Sequence, residues 1–412
     1  MRYIIIGGGV SGLSVARLLS AHHEVTVMEA EPMVGGLLRC EEFQEGLFHT
    51  CGGHVFNTKR QNVMDWFWNL FDKEDFVETN RNSAVIMADG TVASYPIEDH
   101  VYMLGRQTGE KIMDDWLQLL MKPNNIPYNF EEFLEQRFGH TLYELYFKPY
   151  NQKVWRRDLS QVPLSWLEGK LPMPTVKEML LHNMYHIEER SFVHSSFFYS
   201  RKKGSQFLVD TLAKGINIVY NTKVEKILRT SDGWEVNGMP CNRVVFCGNI
   251  KQLPSLIEGI DGYVDAIEHL EYHGTTSVFC EIDHNPYSWI YLPSKEYESH
   301  RIICTGNFSP NNNHSSRLTA TVEFTDLISQ DNILENLARI PMAPRYITHH
   351  YTPCSYPIQN KNTRSMVSSL KSTLAKDGLY LCGRFAEWEY ANSDVCMGNA
   401  LDLYENHLTK FL

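Results

Sequence analysis

The chain has no run of 18 apolar residues, so no membrane-spanning helix is expected. Its nine cysteines, at 40, 51, 241, 247, 280, 304, 354, 382 and 396, include no CxxC pair. That argues against a zinc site or a disulfide framework and reads as reduced thiols in a cytoplasmic protein. There is no excess of basic charge: the formal net charge is −11, which argues against a general nucleic-acid binder but leaves room for a local basic pocket. Met1 leads straight into a strand-like run, so no signal peptide is expected. Repeats, low-complexity tracts and heptads are missing too, and no oligomeric state can be read. What is present is 412 residues, 43% of them hydrophobic, enough for two or three packed domains.

Residues 2–31 alternate strand, glycine turn, helix and strand in "RYIIIG", "GGVSGLSVARLLSA" and "EVTVMEAE". This predicts a βαβ unit in a parallel sheet covered on both faces. "KRQNVMDWFWNLF" has helical spacing, and "SAVIMADGTVASYP" reads as a hairpin with Asp89-Gly90 as a two-residue turn. From Gly109 to Trp155 the pattern is mostly helical, with Asn129 and Glu132 as a capping pair. A helix in "SQFLVDTLAKG" precedes two strand-like runs, "INIVY" and "TKVEKIL". Short β-rich runs follow, from "GWEVNG" to "LTATVEF". "GLYLCGRF" then reads as a buried strand and "VCMGNALDLYENHLTKF" as a closing helix.

Gly7, Gly9 and Gly12 form GxGxxG between the first strand and the first helix. The first glycine permits the tight turn, the second a close approach to a pyrophosphate, the third the packing of helix on strand. The phosphates then meet the free N–H groups of the helix N-terminus. Glu29, at the end of the second strand, is placed for a ribose diol. Gly35 and Gly36, in "EPMVGGLL", make a second close backbone approach. An NAD site has no need of it, whereas FAD must extend a ribityl chain and a ring past this point. With no second GxGxxG in the chain, the cofactor is expected to be FAD.

"EGLFHTCGGHVFN", "YFKPYNQKVWRRDLSQVPLSWL", "YSWIYLP", "RIICTGNFSPNN", "SYPIQNKNTR" and "GRFAEWEYANSD" occur in this order. The series resembles the UDP-galactopyranose mutases, more their eukaryotic branch than the short bacterial one, within the FAD flavoproteins that include amine oxidases and protoporphyrinogen oxidase. The resemblance covers nearly the whole chain. It implies pyranose/furanose interconversion of a nucleotide-diphosphate sugar by attack of reduced flavin N5 on the anomeric carbon, without net redox, for a cell-surface polysaccharide. The resemblance further implies that FAD is active in its reduced form, and NAD(P)H as reductant would have to visit the substrate cleft. The resemblance also assigns Gly52, Gly53 and His54 to a loop under the flavin ring. A neutral imidazole there can exchange hydrogen bonds with the ring.

Carried over by position, Arg301 and Arg384 match the two diphosphate arginines, and with His54 they are the candidate catalytic residues. Tyr291, Tyr356, Tyr390 and Asn392 match polar contacts to the diphosphate, and Trp166 matches a residue lining the nucleotide pocket. Val224, in the "TKVEKI" run, is expected to meet adenine through its backbone. Gly383, Met397 and Gly398 are expected near the flavin. A plainer account is open to each: the arginines as surface ion pairs, the tyrosines and Trp166 as core packing, His54 as a satisfied core histidine. "WRRD" reads as a solvated turn.

Two departures stand out. Phe198, in "SSFFYSRKKGSQ", occupies the place of a third family arginine. One lost charge-assisted contact costs about 1.5–3 kcal/mol, although Arg201 or Lys202 could compensate. In "YPIE", Tyr95 and Glu98 fall at substrate positions, and Glu98 replaces a glutamine that reads uracil. An ionised carboxylate only accepts hydrogen bonds, so weaker uridine selectivity is expected, unless Glu98 turns to a lysine or to solvent.

The expected architecture is α/β. A discontinuous Rossmann-like FAD-binding domain (1–60, 202–270 and 375–412) carries a helical insertion (61–201) and a β-sheet substrate domain (271–374), which the hairpin 83–96 joins. The rival functional readings are an FAD oxidoreductase acting on an amine or sugar, and a non-catalytic FAD-binding partner in glycan assembly.

Overall fold

In the computed structural model, which describes residues 1–121, 126–162, 164, 174–187 and 195–409, the strand Arg2–Ile6 lies at the centre of a parallel sheet. Glu24–Met28 and then Asn217–Val219 pair on one side of it, Arg243–Phe246 and then Leu379–Leu381 on the other. Three distant stretches of chain thus build one sheet. Ile4 and Ile6 pack toward Leu253 and Trp388, whereas Tyr3 and Ile5 pack toward Leu19 and Leu408. Both faces are covered, which is why these strands read as near-continuous apolar runs.

The second sheet has seven strands in the order Arg345–Ile358, Glu271–Ile282, Leu318–Thr325, Arg301–Ile303, Trp289–Tyr291, Ser83–Ile86 and Val92–Ser94. All its pairings are antiparallel except Trp289–Tyr291 with Ser83–Ile86, through which the hairpin joins. The hairpin turn is longer than its sequence suggests. Met87 donates to Thr91 O at 2.9 Å, so Ala88, Asp89 and Gly90 form a three-residue loop, with Gly90 left-handed at φ +84°.

Arg106–Met121, Phe130–Phe138 and Lys148–Trp155 are the main helices of the insertion. Asn129 caps the second, accepting from the Glu132 N–H at 2.9 Å, while the Glu132 carboxylate returns to the Tyr128 N–H at 3.0 Å. These helices share a core with one face of the seven-stranded sheet through Trp116, Phe138, Trp289 and Tyr291. The other face of that sheet packs on the helix Gln330–Leu337. Arg156 and Arg157 of "WRRD" tie the insertion to the sheet, Arg156 through Glu298 and the Thr325 carbonyl, Arg157 through Glu271. Among the described residues no helix is long and apolar enough to cross a membrane.

Candidate functional site

At the carboxyl end of the parallel strands lies a cavity of about 690 Å³, where open α/β sheets bind their ligands. Gly7, Gly9, Gly12, Glu29, Gly35, Gly36, His54 and Arg384 line it, together with Arg39, which the sequence reading overlooked. A Cβ on Gly12 would collide with the Gly7 carbonyl, so the third glycine sets the helix-to-strand approach. A Cβ on Gly9 would meet nothing within 4 Å. The second strand delivers Glu29, 7% exposed, to the rim. Its two oxygens accept from the Gly8 N–H at 2.7 Å and the Glu31 N–H at 2.9 Å. Further lone pairs remain for a diol. Gly35, at φ +136°, donates to Gly8 O at 2.9 Å and closes the second glycine turn on the first.

The segment Cys51–His54 runs from this cavity toward the second sheet. The Gly52 N–H donates to Glu323 Oε1 at 3.0 Å. Gly53 answers to packing, since a Cβ there would stand 2.6 Å from Ile303 Cγ2. Burial, reinforced by the charge of Arg384, pushes the His54 pKa down to about 3, so its ring is neutral. Its Nε2 is buried with no hydrogen-bond partner among the described residues. The His54 N–H lies 3.4 Å from His49 Nδ1, and His49 Nε2 meets the Tyr199 hydroxyl at 2.7 Å. An orphaned ring nitrogen, a glycine cradle and an anchored buried glutamate fit a flavin dinucleotide.

Beside this cavity the insertion and the seven-stranded sheet enclose a second one of about 180 Å³, lined by Tyr95, Glu98, Tyr150, Tyr291, Arg301, Tyr356 and Tyr390 among others. Arg301 projects from its strand onto Glu323 of the neighbouring strand, which holds its Nε. Its Nη2 donates to the Tyr356 hydroxyl at 2.9 Å. Tyr356 stacks on Tyr390 with centroids 5.5 Å apart and planes 7° apart. The Arg384 guanidinium lies 4.6 Å from the Tyr390 centroid and donates to the carbonyls of Ala391 and Ser355. Two cations are thus linked through two stacked phenols, Arg301 facing the aromatic cavity and Arg384 the glycine-lined one. Burial would raise the Glu323 pKa, but Arg301 and His300 outweigh it and hold the carboxyl at about 2. Burial raises Tyr356 and Tyr150, which stay protonated donors.

Several sequence assignments change. Phe198 lies in the strand Ser196–Ser200, where alternation turns Phe197 and Tyr199 toward Trp289 and His49. Phe198 therefore points the other way, packs edge-on against Trp68 at 4.9 Å and lines neither cavity. Arg201 and Lys202 are engaged by the Phe76 carbonyl and Asp75, so neither supplies the missing charge. Val224 lies between strands rather than in one, and its side chain joins the core under the parallel sheet. Met397 is buried in the core around Phe67 and Gly398 follows it in the closing helix Ser393–Leu403; the cavity is lined by their neighbour Cys396 and by neither of them. Gly383 (φ +110°) abuts Ser11, and Asn392 precedes the closing helix between the cavity residues Ala391 and Ser393. Trp166 lies outside the described residues. Glu98 is 2% exposed and turned inward, not to solvent.

Glu323, Tyr150 and Arg81 were missed. A single acid inside the all-buried strand "LTATVEFT" was the signal for Glu323. Tyr150 meets Tyr291 edge-on at 5.6 Å and belongs to the quoted "KPYNQKVW". Arg81 donates to the Tyr291 hydroxyl at 2.5 Å and lies 4.8 Å from the Trp289 ring centroid, with no local sequence signal.

Residues 10–335 match the profile of flavin containing amine oxidoreductases. The chain belongs to that family. Within this flavin containing amine oxidoreductase family it is similar to the UDP-galactopyranose mutase of Mycoplasma genitalium, at 20% identity over 95% of this chain and 91% of that protein. It also resembles the dTDP-fucopyranose mutase of Escherichia coli, at 27% identity over 42% of this chain and 46% of the relative. The fold matches a crystal structure of reduced UDP-galactopyranose mutase with a TM-score of 0.87 and 18% identity, covering 99% and 94% of the two chains. A putative protoporphyrinogen oxidase from Exiguobacterium follows at a TM-score of 0.74, 14% identity and 99% coverage of both chains.

Proposed function

We propose that this flavoprotein is a nucleotide-sugar mutase that interconverts pyranose and furanose rings. The observation that carries the reading is the Arg301–Tyr356–Tyr390–Arg384 array at the junction of the glycine-lined and aromatic cavities. An amine oxidase has no use for two guanidiniums at that junction, whereas a departing nucleoside diphosphate gains charge that needs them. The names of the mutase relatives support the same substrate class.

The glycine turns and Glu29 would hold the dinucleotide, with His54 beside the ring. Reduced FAD, once bound, supplies an electron-rich nitrogen as nucleophile. Arg301 and Arg384 would hold the leaving diphosphate, and the Tyr356 hydroxyl, already accepting from Arg301, would donate its proton to a phosphate oxygen. His54, neutral and with an open Nε2, can trade one hydrogen bond as the ring changes protonation. The aromatic cavity would take the nucleoside, with Glu98 accepting from the base and weakening the preference for uracil.

The reading is tested by supplying candidate nucleotide sugars, UDP-galactopyranose first, to oxidised and to dithionite-reduced enzyme without oxygen. Ring-isomerised sugar formed by the reduced enzyme alone is the expected result. Oxidised product in an amount equal to the flavin reduced would instead establish the oxidoreductase.

A further inference from the structure

Trp388 is held in left-handed backbone at φ +48°, and its indole is fully buried. A non-glycine residue persists in that conformation only where its surroundings over-determine it. The residue stands between Arg384 and Tyr390 in sequence, and beyond its turn the Tyr390 ring lies over the Arg384 guanidinium at 4.6 Å.

The restraints on this turn come from outside both cavities. Arg364, in the helix Thr363–Lys376, donates through Nη2 to the carbonyls of Glu387 and Trp388, at 2.5 Å each. Its Nη1 donates to Glu389 Oε2 at 3.1 Å. Gln359 adds a donor to the Trp388 carbonyl at 3.1 Å, and the indole N–H donates to Ile358 O at 2.9 Å. At the other end, Glu387 accepts from the Gly383 N–H at 2.8 Å and from Lys371. Arg364 lines neither the glycine-lined nor the aromatic cavity. It borders a separate outer cleft.

We propose that Arg364 is a positioning residue for diphosphate binding: by clamping the left-handed turn at Trp388 it fixes Tyr390 against Tyr356 and Arg384. Its planar fork holds both carbonyls with one terminal nitrogen and Glu389 with the other, a division that a single lysine ammonium matches poorly. The proposal rests on the reading of Tyr390 as a diphosphate contact.

The test is a double-variant cycle on FAD-loaded enzyme, with UDP affinity read from the flavin absorbance change and FAD content as the check on folding. Tyr390→Ala and Arg364→Ala are each expected to weaken UDP about tenfold with FAD content unchanged. The double variant is expected to be no weaker than Tyr390→Ala alone. Arg364→Lys, which retains charge and bulk, is expected to lose affinity in the same direction and serves if the alanine variant does not fold. A crystal structure of the Arg364 variant should show the Tyr356–Tyr390 stack broken. Unchanged UDP affinity in both Arg364 variants, or losses that multiply in the double variant, would overturn the proposal while the diphosphate reading stands. Unchanged affinity in Tyr390→Ala, or no UDP binding by the unaltered protein, would overturn the reading beneath it.

Discussion

Glu323 grips Arg301 with one carboxylate oxygen and the Gly52 amide with the other. One side chain, 1% exposed, therefore joins the glycine-histidine segment by the flavin cavity to the cation facing the aromatic cavity. A shift of either is felt by the other.

Glu323→Gln removes the counter-charge of a buried guanidinium but keeps the shape. Breaking such a pair costs about 3–5 kcal/mol, so the melting temperature should fall and nucleotide affinity should drop with it. Thermal unfolding with and without UDP measures both. A variant as stable as the parent would show that Arg301 does not depend on Glu323.

Acid should destabilise the protein from near neutrality. Burial lowers His54 to about 3 and His49 to about 4, against an ordinary value of about 6.5. Between those limits the unfolded chain binds more protons than the native state, so stability present above about pH 6.5 is lost as pH falls toward 3. Glu323 acts lower down, its contribution being lost as pH falls from its ordinary range through about 2. Denaturant midpoints from pH 7.5 to 4.5 should fall steadily in the parent and less steeply in His54→Gln. Equal slopes would mean that His54 is not buried neutral.

Arg301→Ala and Arg384→Ala should each lower kcat/KM at least tenfold, or by about 1.4 kcal/mol of transition-state stabilisation. Arg301→Ala also leaves Glu323 without its main partner, so its loss should exceed that of Arg384→Ala. Steady-state rates with retained FAD check this, and parental rates in either variant would displace the diphosphate from this array.

Glu98 should make the base end of the site tolerant. UDP and GDP should bind the reduced enzyme within about tenfold of each other, and Glu98→Gln should favour UDP by a factor of about ten, roughly the value of one hydrogen bond. A strong UDP preference untouched by Glu98→Gln would remove Glu98 from base recognition.

How legible all this was in the sequence follows from how local each signal is. The GxGxxG turn, Glu29 and the second glycine pair sit within thirty residues and could be read directly, because each answers to backbone geometry. Arg301, Tyr356, Arg384 and Tyr390 come together only through strand pairing and the turn at Trp388, and resemblance rather than pattern suggested them. Phe198 was misread because motif position was followed over strand alternation, which turns it toward Trp68. Glu323 and Arg81 escaped notice because a buried acid and an aromatic-sandwiched arginine look ordinary until their partners, far away in sequence, are known.

The most direct measurement loads the protein with FAD, reduces it with two electron equivalents, excludes oxygen and follows flavin absorbance and sugar ring form together under excess nucleotide sugar. The account predicts many isomerised molecules per flavin, with the flavin still reduced at the end. Product limited to one per flavin, or a colourless protein that takes up no FAD, would contradict it.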